Sequence, residues 1–279
     1  MAYDLRILNS GGPDYDSASK EMGLGTLQLS KSLQKAMLQM RGEFMGGDGR
    51  SVDYGRLATS ALFKQYAALT GHLRTCAVAT LSEPQRMAFF INVYNALTIH
   101  GLVSLSCLPG SVLEVQHFWK TTCYNISGMV FSLDDIEHGI LRGNKPHPSS
   151  TQPLLGDADP RRKLSLQSCD PRVHFALVCG AKSCPAIQVY SEDNLEQALT
   201  MAAQSFCGQE VHIFPPDMKV SVNKILQWYA SDFGSSVDQI LRNLSLYLPE
   251  VTRVTLLAMM DKGPVTMEAR DYNWTLNKL

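Results

Sequence analysis

Apolar residues recur at helical spacing through the first hundred positions of the chain. From 27 to 44 they return every three or four residues, which predicts an amphipathic helix, and a second stretch from 57 to 73 is expected to pack on the first. A third helix is predicted from Ser82 to about residue 103, because Ser82 can cap it and Pro84 suits its first turn. Its interior is apolar on nearly every side, so we expect it to be buried.

Three polar residues interrupt this apolar helix, namely Asn92, Asn95 and His100. A buried amide without a hydrogen-bond partner costs about 1–3 kcal/mol, so each is expected to hold loop backbone or to serve a functional site. At about 100° per residue, Asn92 and His100 lie roughly 80° apart, whereas Asn95 points about 140° away from His100. Asn92 and His100 are therefore candidates to line one site.

The second half of the chain mixes strand and helix patterns. A hairpin is predicted over 122–131, followed by a helix that Ser132 can cap. On that helix Asp134, His138 and Arg142 share one face, which points either to a cleft or to solvent. The other predicted elements are a buried strand over 173–178, a helix over 191–206, paired strands over 211–214 and 218–222, helices over 224–233 and 236–248, and a last strand over 251–257.

These patterns predict a single compact domain of the α/β (α+β) class, with a helical N-terminal part packed on a mixed β-sheet. Residues 1–22, rich in Gly, Ser and Asp, are expected to form a flexible tail, and residues 23–279 the domain. The long proline-containing segment 144–170 is expected to act as a flap over a site, since loops of this length tend to be functional.

Composition removes several classes of function. A formal net charge of -1 gives no basic stripe for nucleic acid or for an anionic membrane surface. No apolar run reaches the roughly 18 residues that a membrane span needs, and the N-terminus lacks the order of a secretion signal. The seven cysteines are an odd number spread over a long chain, which favours a reducing compartment, the cytoplasm, over a disulfide framework.

Candidate chemistry concentrates at the end of the strand predicted over 173–178. The next residues include Cys179, Lys182, Ser183 and Cys184, so two thiols, a cation and a hydroxyl lie within one turn. Open α/β sheets place their sites at the carboxyl ends of strands. We therefore predict a site between this turn and the helix that carries His138.

The same residues carry a resemblance to a known family. The stretches are Val52-Asp53-Tyr54, Ala88-Phe89-Phe90-Ile91-Asn92-Val93-Tyr94-Asn95-Ala96-Leu97, Ser132-Leu133-Asp134-Asp135-Ile136-Glu137-His138, Asp170-Pro171-Arg172-Val173-His174-Phe175, Cys179-Gly180-Ala181-Lys182-Ser183-Cys184-Pro185 and Tyr272-Asn273-Trp274. As an ordered set the chain resembles the family called domain of unknown function 547. The resemblance implies a single compact domain, found alone or behind glutaredoxin-like, DEP or leucine-zipper segments, and no established reaction. Asn273 stands where the family pattern more often has Asp.

The first functional hypothesis is a cysteine-dependent hydrolase or transferase of papain-like or transglutaminase-like chemistry. Either thiol would be the nucleophile, Lys182 would help to lower its pKa, and His138 would be the base. Asp134 or Asn92 would orient that base, and backbone N–H groups of residues 180–183 would form an oxyanion hole. The histidines precede the thiols, which reverses the papain order and requires a rearranged connectivity.

Two alternatives stay open. A zinc site would join both thiols to His138, His100 or His174, although no second cysteine pair is spaced to match, and His174 within a predicted strand is more typical of a core histidine. In a non-catalytic interaction or scaffold module, the thiols would be packing residues and the partner a protein or peptide. The sequence as a whole favours this third function, with no cofactor required.

Overall fold

A computed structural model of the chain describes residues 3–10 and 25–279. The helices are α1 (Thr26–Phe44), α2 (Tyr54–Thr59), α3 (Ala61–Thr70), α4 (Glu83–Val103), α5 (Phe118–Thr121), α6 (Leu195–Glu210), α7 (Ile225–Trp228), α8 (Ala230–Phe233), α9 (Val237–Ser245) and α10 (Glu250–Met260). The strands are β1 (Arg6–Ile7), β2 (Thr122–Ile126), β3 (Met129–Ser132), β4 (His212–Phe214), β5 (Lys219–Val222) and β6 (Thr266–Ala269). A π-helix covers Asp135–Leu141, and short 3₁₀ helices cover Gly71–Thr75, Val78–Thr80, Val112–Glu114, Pro160–Leu164, Pro171–Phe175, Glu192–Asn194 and Pro215–Asp217.

Helix α4 lies at the centre of the larger core. Ser82 Oγ accepts the backbone N–H of Gln85, and the Gln85 side chain accepts the N–H of Ser82, so the predicted helix start is confirmed. The side chains from 87 to 102 are buried, as expected for a helix that is apolar all round. A Cβ on Gly101 would meet Thr122 Cγ2 at 2.6 Å, so only glycine lets strand β2 approach the helix this closely.

The first sheet has the order β1-β2-β3, with β1 parallel and β3 antiparallel to β2. Arg6 pairs with Thr122, and the Asn9 amide, fully buried, donates to the Thr70 and Asn125 carbonyls at 2.9 Å. This pairing places residues 3–10 in the fold and corrects the prediction that the first 22 residues form a tail. The rest of that predicted tail, residues 1–2 and 11–22, lies outside the described residues.

The second sheet has the order β4-β5-β6, with β4 antiparallel and β6 parallel to β5. It confirms the paired strands predicted over 211–214 and 218–222. The described residues thus form two small mixed sheets where one was predicted. A separate, smaller core joins this sheet to α6, α9 and α10. The observed architecture is a single α+β domain, which confirms the predicted fold class.

The predicted last strand over 251–257 is wrong, because these residues belong to helix α10. Leu256, Met259 and Met260 are buried at helical spacing, so the apolar residues of this segment form one face of a helix. The alternation that suggested a strand comes from threonines and valines near the exposed N-terminal end of the helix.

The predicted strand over 173–178 is also wrong. Asp170 accepts the N–H of Arg172 and caps a 3₁₀ turn that starts at Pro171, after which the chain runs on without joining either sheet. The backbone of this segment is hydrogen-bonded by Asn95, where a strand would be bonded by a neighbouring strand. The Asn95 amide donates to the Ala176 carbonyl and its oxygen accepts the Val178 N–H, both at 2.9 Å. A buried apolar run has the same sequence signature whether or not it lies in a sheet.

No helix within the described ranges is both long enough and apolar enough to cross a bilayer.

Candidate functional site

The structure contains a cavity with a volume of about 570 Å³. It lies between the π-helix, the 3₁₀ turn before Cys179, helix α7 and residues 272–275, which we call the C-terminal segment. Its wall is mainly aromatic and apolar, and all three tryptophans of the chain contribute to it. The lining residues are Tyr94, Leu113, Val115, His117, Trp119, Lys120, Asp134, Glu137, His138, His147, Pro148, Ser149, His174, Leu177, Cys179, Ile225, Trp228, Tyr229, Tyr272 and Trp274.

Four of the ten residues predicted for the site line this cavity: Asp134, His138, His174 and Cys179. The other six do not line it: Asn92, His100, Arg142, Lys182, Ser183 and Cys184. Of the long segment predicted as a flap, only residues 147–149 reach the cavity wall, while its buried leucines pack into the core.

The two thiols of the turn lie in contact. The Sγ atoms of Cys179 and Cys184 are 2.9 Å apart, and the backbone N–H of Cys179 donates to Cys184 Sγ at 3.1 Å. The Tyr272 hydroxyl lies 3.4 Å from both sulfurs. Cys179 is partly exposed and lines the cavity, whereas Cys184 is only 1% exposed beneath it. Of the two predicted nucleophiles, Cys179 is the one that a ligand in the cavity can reach.

These contacts make the two thiols unequal as acids. Burial alone raises the pKa of Cys184, but hydrogen bonds from the Cys179 thiol, the Tyr272 hydroxyl and backbone N–H groups outweigh it and lower that pKa to about 7. The hydrogen bond to Cys184, together with burial, raises the pKa of Cys179. The pair therefore loses its first proton near neutral pH, and the remaining proton stays on Cys179.

The backbone of the turn is fixed by the C-terminal segment. The N–H groups of Lys182 and Ser183 donate to the carbonyls of Thr275 and Asn273, and Ser183 Oγ accepts the Asn273 N–H at 2.9 Å. These two N–H groups are thus unable to form the predicted oxyanion hole, because both are already bonded. Gly180 has a φ of 92°, and this left-handed turn brings the chain back so that the two sulfurs meet.

Glu137 is a buried carboxylate in the cavity wall. Tyr229 donates to its Oε1 at 2.5 Å and Tyr94 to its Oε2 at 3.0 Å. Burial raises the pKa of Glu137, but nearby His138 and the two hydroxyls overcome this, so the pKa is lowered. The π-helix turns Glu137 and His138 toward the same cavity, in keeping with the frequent use of π-turns at functional sites.

His138 has a hydrogen-bond partner that fixes its tautomer. Arg142 Nη1 lies 3.0 Å from His138 Nδ1, and because a guanidinium only donates, Nδ1 accepts and the ring proton sits on Nε2. Burial, reinforced by Arg142, lowers the pKa of His138 to about 4. A neutral His138 with this tautomer can donate a hydrogen bond, but its Nδ1 is not free to act as the predicted base.

His174 is oriented by a buried carboxylate. Its Nε2 donates to Asp232 Oδ2 at 2.9 Å, which leaves Nδ1 as the acceptor of the neutral ring, and its ring stacks on Tyr229 with centroids 3.9 Å apart. Burial opposes ionisation of Asp232, but hydrogen bonds from His174, Arg142 and Lys145 hold its pKa well below the usual range. Burial lowers the pKa of His174, so its ring is neutral at pH 7.

Among the described residues, the group that could hold a metal shares only His174 with the zinc hypothesis. Cys169, His174 and Asp232 offer donor atoms within 4.8 Å of one another, and the described residues contain no comparable group built on Cys179 and Cys184. Two cationic side chains already bind the Asp232 oxygens, and burial raises the pKa of the Cys169 thiol to about 12. This group is suited to an ion-pair network and is a poor match for zinc.

The polar residues of α4 hold other segments in place, away from the cavity. Asn92 donates to the Tyr190 carbonyl at 2.6 Å and accepts the Tyr190 N–H at 2.9 Å. His100 Nδ1 lies 2.8 Å from the Tyr124 hydroxyl, and burial lowers the pKa of His100 to about 4. Of the three, Asn95 comes closest to the site, since it holds the backbone that leads into Cys179.

The cavity residues that were not predicted from the sequence include Glu137, Tyr229 and Tyr272. Asp232, which is buried behind the cavity wall, was not predicted either. Glu137 directly precedes His138, and both residues of the π-helix line the cavity. Asp232 is 58 positions from His174 and lies in a short helix without any distinctive pattern. Tyr272 belongs to the aromatic C-terminal motif, which was a usable signal.

Residues 78–207 match the family model described as "Protein of unknown function, DUF547". The matched region includes the π-helix and the turn that carries both thiols, and it ends before Tyr272. No curated protein and no solved structure matches the chain.

Proposed function

We propose that this chain, whose residues 78–207 match the DUF547 family model, is a cysteine-dependent acyl hydrolase or transferase. Cys179 would be the nucleophile and Cys184 its proton acceptor. The observation that carries the proposal is the contact of a cavity-lining thiol with a buried, acidic thiol at 2.9 Å. A nucleophile within hydrogen-bond reach of its base is the arrangement that covalent catalysis requires.

In the first step, Cys179 attacks the carbonyl carbon of an ester, thioester or amide held in the cavity. The Cys179 proton moves to the Cys184 thiolate, the sulfur forms the S–C bond, and the carbonyl π electrons move onto oxygen. As this intermediate collapses, the bond to the leaving group breaks and the leaving group takes the proton from Cys184. The product is a thioester on Cys179.

The developing oxyanion needs hydrogen-bond donors that do not belong to the turn. His138 lines the cavity and carries its proton on Nε2, so it supplies a neutral donor. The Tyr272 hydroxyl contacts both sulfurs, and its one proton becomes available as a second donor once Cys184 has accepted the proton of Cys179. Removing one such donor in a site of this kind costs about 2.7–4 kcal/mol of transition-state stabilisation.

The second step releases the acyl group. His174, with Nε2–H held by Asp232, presents Nδ1 as a base for water or for another acceptor nucleophile. The base takes a proton from the acceptor, which attacks the thioester carbonyl. The S–C bond then breaks, and the proton passes from His174 to the departing Cys179 sulfur, which restores the thiol and the neutral ring. An orienting carboxylate beside an imidazole serves the same purpose in other nucleophilic enzymes.

The cavity wall indicates the substrate class. Trp228, Tyr272 and Trp274 form a continuous aromatic group beside the thiols, with ring centroids 4.6–5.6 Å apart. Such a wall binds apolar or aromatic groups better than charged ones. We therefore propose a substrate with an apolar or aromatic group next to its reactive carbonyl.

The test is capture of the acyl-enzyme. The protein is mixed with p-nitrophenyl acetate, quenched in acid, digested with trypsin and analysed by mass spectrometry. The proposal predicts an acetyl group on the peptide 173–182, which contains Cys179 and no other cysteine. Cys179→Ala should abolish the adduct, and Cys107→Ala, which removes an exposed thiol, is the matched control. Acetylation that depends on Cys107 and not on Cys179 would contradict the proposal.

A non-catalytic interaction or scaffold module is the second candidate, with a protein or peptide as partner. The observation in its favour is that, within the described residues, neither sulfur of the Cys179–Cys184 pair has an imidazole at hydrogen-bond distance. Under this function Cys179 would show the ordinary reactivity of a thiol. The same acylation experiment distinguishes the two, because a module predicts no adduct above the level of the Cys107 control.

Both thiols of the pair must be reduced for the proposed chemistry. A reducing compartment such as the cytoplasm therefore suits the function that we propose.

A further inference from the structure

We propose that Cys179 and Cys184 form a peroxide-sensitive pair, in which hydrogen peroxide oxidises Cys179 and Cys184 closes a disulfide with it. As a modification site the pair rests on its geometry alone. Its consequence, reversible inactivation, rests on the proposed function, since the disulfide would block the nucleophile.

Three features of the structure support this site. Cys179 lines a cavity of about 570 Å³, which is large enough for peroxide to enter. Cys184 Sγ lies 2.9 Å from the Cys179 sulfur but is only 1% exposed and does not line the cavity, so it can attack without occupying the space that peroxide enters. The turn between them is fixed through Lys182 and Ser183 to the C-terminal segment, which keeps the two sulfurs together.

The first step forms a sulfenic acid. The Cys179 sulfur attacks one oxygen of hydrogen peroxide, an S–O bond forms, the O–O bond breaks, and the departing hydroxide takes the thiol proton to give water. In the second step the Cys184 sulfur attacks the Cys179 sulfur, the S–S bond forms, the S–O bond breaks, and a second water leaves. Two thiols lose two electrons in total, and one peroxide is reduced to two waters.

The other thiols lack this combination of features. Cys76, Cys123 and Cys207 are buried, and none of them lines the cavity. Cys107 is exposed, and its only hydrogen-bond partner in the described structure is the neighbouring Leu108 carbonyl. Cys169 Sγ contacts Asp232 Oδ2 at 3.6 Å, so its side-chain neighbour is a carboxylate and not a second sulfur. Cys179 thus differs from these thiols because it is reached from the cavity and also has a second sulfur in contact.

The sequence allows a direct readout. Trypsin cuts after Lys182, between the two cysteines, so it places Cys179 in peptide 173–182 and Cys184 in peptide 183–219. The full chain is treated with hydrogen peroxide, free thiols are blocked with an alkylating reagent, and the digest is analysed with and without reductant. We expect the two peptides to remain joined until reductant is added, and fragmentation to place the link at Cys184 and not at Cys207.

A variant tests the order of the steps. In Cys184→Ser the resolving sulfur is absent, so a persistent sulfenic acid should form on Cys179 and react with dimedone. Cys207→Ala is the matched control and should form the same link as the wild type. Circular dichroism checks that each variant is folded, and the wild-type experiment needs no variant at all.

Two results would overturn the inference. In the first, peptides 173–182 and 183–219 stay reduced after a peroxide dose that oxidises exposed Cys107. In the second, Cys179 is linked to a cysteine other than Cys184. The readout does not require activity. If the protein forms this link but is not acylated at Cys179, the modification site is supported and the proposed function is refuted. If Cys179 is acylated but the link does not form, the proposed function is supported and the modification site is refuted.

Discussion

Asp232 is the carboxylate that pairs with Arg142 and Lys145 behind the cavity. The substitution Asp232→Asn tests how much this buried negative charge contributes to stability. The side chain is fully buried and binds Arg142 at 2.7 Å, with Arg142 itself only 3% exposed. The asparagine keeps the shape and one acceptor oxygen but loses the negative charge. The variant therefore leaves a buried guanidinium without its counter-ion.

Removing one partner of a buried ion pair costs about 3–5 kcal/mol. The pair with Lys145 adds much less, since that side chain is 42% exposed and such pairs contribute roughly 0–1 kcal/mol. Because the asparagine oxygen still accepts a hydrogen bond, we expect the lower end, a loss of about 3 kcal/mol in the free energy of unfolding. For a chain of this size that corresponds to a fall in Tm of roughly 6–12 °C.

The loss should depend on pH in a defined direction. Because the pKa of folded Asp232 is held below its ordinary value of 3.8, the wild type gains stability from the ionised carboxylate above about pH 4. That gain is lost as the pH falls through the lower, folded pKa. The difference between wild type and Asp232→Asn should thus be constant from about pH 8 to 5 and shrink only in stronger acid.

Urea unfolding followed by circular dichroism at several pH values measures both quantities. The matched control is Asp238→Asn, which breaks an ion pair with Arg242 in which both side chains are at least half exposed, and it should leave the midpoint unchanged. A loss below about 1 kcal/mol for Asp232→Asn, the level of an exposed pair, would refute the view that this network is held by buried charge.

Three further changes test other parts of the site. Gly180→Ala should lower the free energy of unfolding, measured in urea, by about 1–3 kcal/mol. The alanine Cβ would meet Leu102 Cδ1 at 2.9 Å, and the residue lies in a left-handed turn. An unchanged unfolding midpoint would contradict this prediction. Tyr272→Phe removes one hydroxyl donor and should raise the first pKa of the thiol pair by roughly 0.5–1 unit, which thiolate absorbance measures. An unchanged pKa would show that the hydroxyl does not stabilise the Cys184 thiolate. Zinc should not protect Cys179 or Cys184 from alkylation, and stoichiometric protection that a chelator reverses would restore the zinc hypothesis.

Local patterns were sufficient to predict helix α4 and its burial. The capping residues Ser82 and Gln85 lie close together in sequence, and an apolar surface on every side of a helix has few alternatives to burial. The polar side chains that follow a buried apolar run also pointed to the turn with Cys179 and Cys184. Cys179 lines a cavity, and the functional site expected at this turn stays a prediction.

What the sequence could not provide depends on contacts between distant segments. The run before Cys179 is held by Asn95, not by a neighbouring strand, and no pattern of period two or 3.6 encodes such a partner. Which thiol reaches the cavity follows from the left-handed turn at Gly180 and from the C-terminal segment that holds it. The place of Asp232 beside His174 depends on the packing of α8, which is a tertiary effect.

The central claim is that Cys184 accepts the proton of Cys179. The most direct measurement is the rate of alkylation of Cys179 by iodoacetamide as a function of pH, read from peptide 173–182 in the wild type and in Cys184→Ala. We predict an inflection near pH 7 in the wild type, where the pair loses its first proton, and a shift toward or above the ordinary thiol value of about 8.5 in the variant. The same inflection in both proteins, or wild-type alkylation that follows the profile of exposed Cys107, would contradict the account.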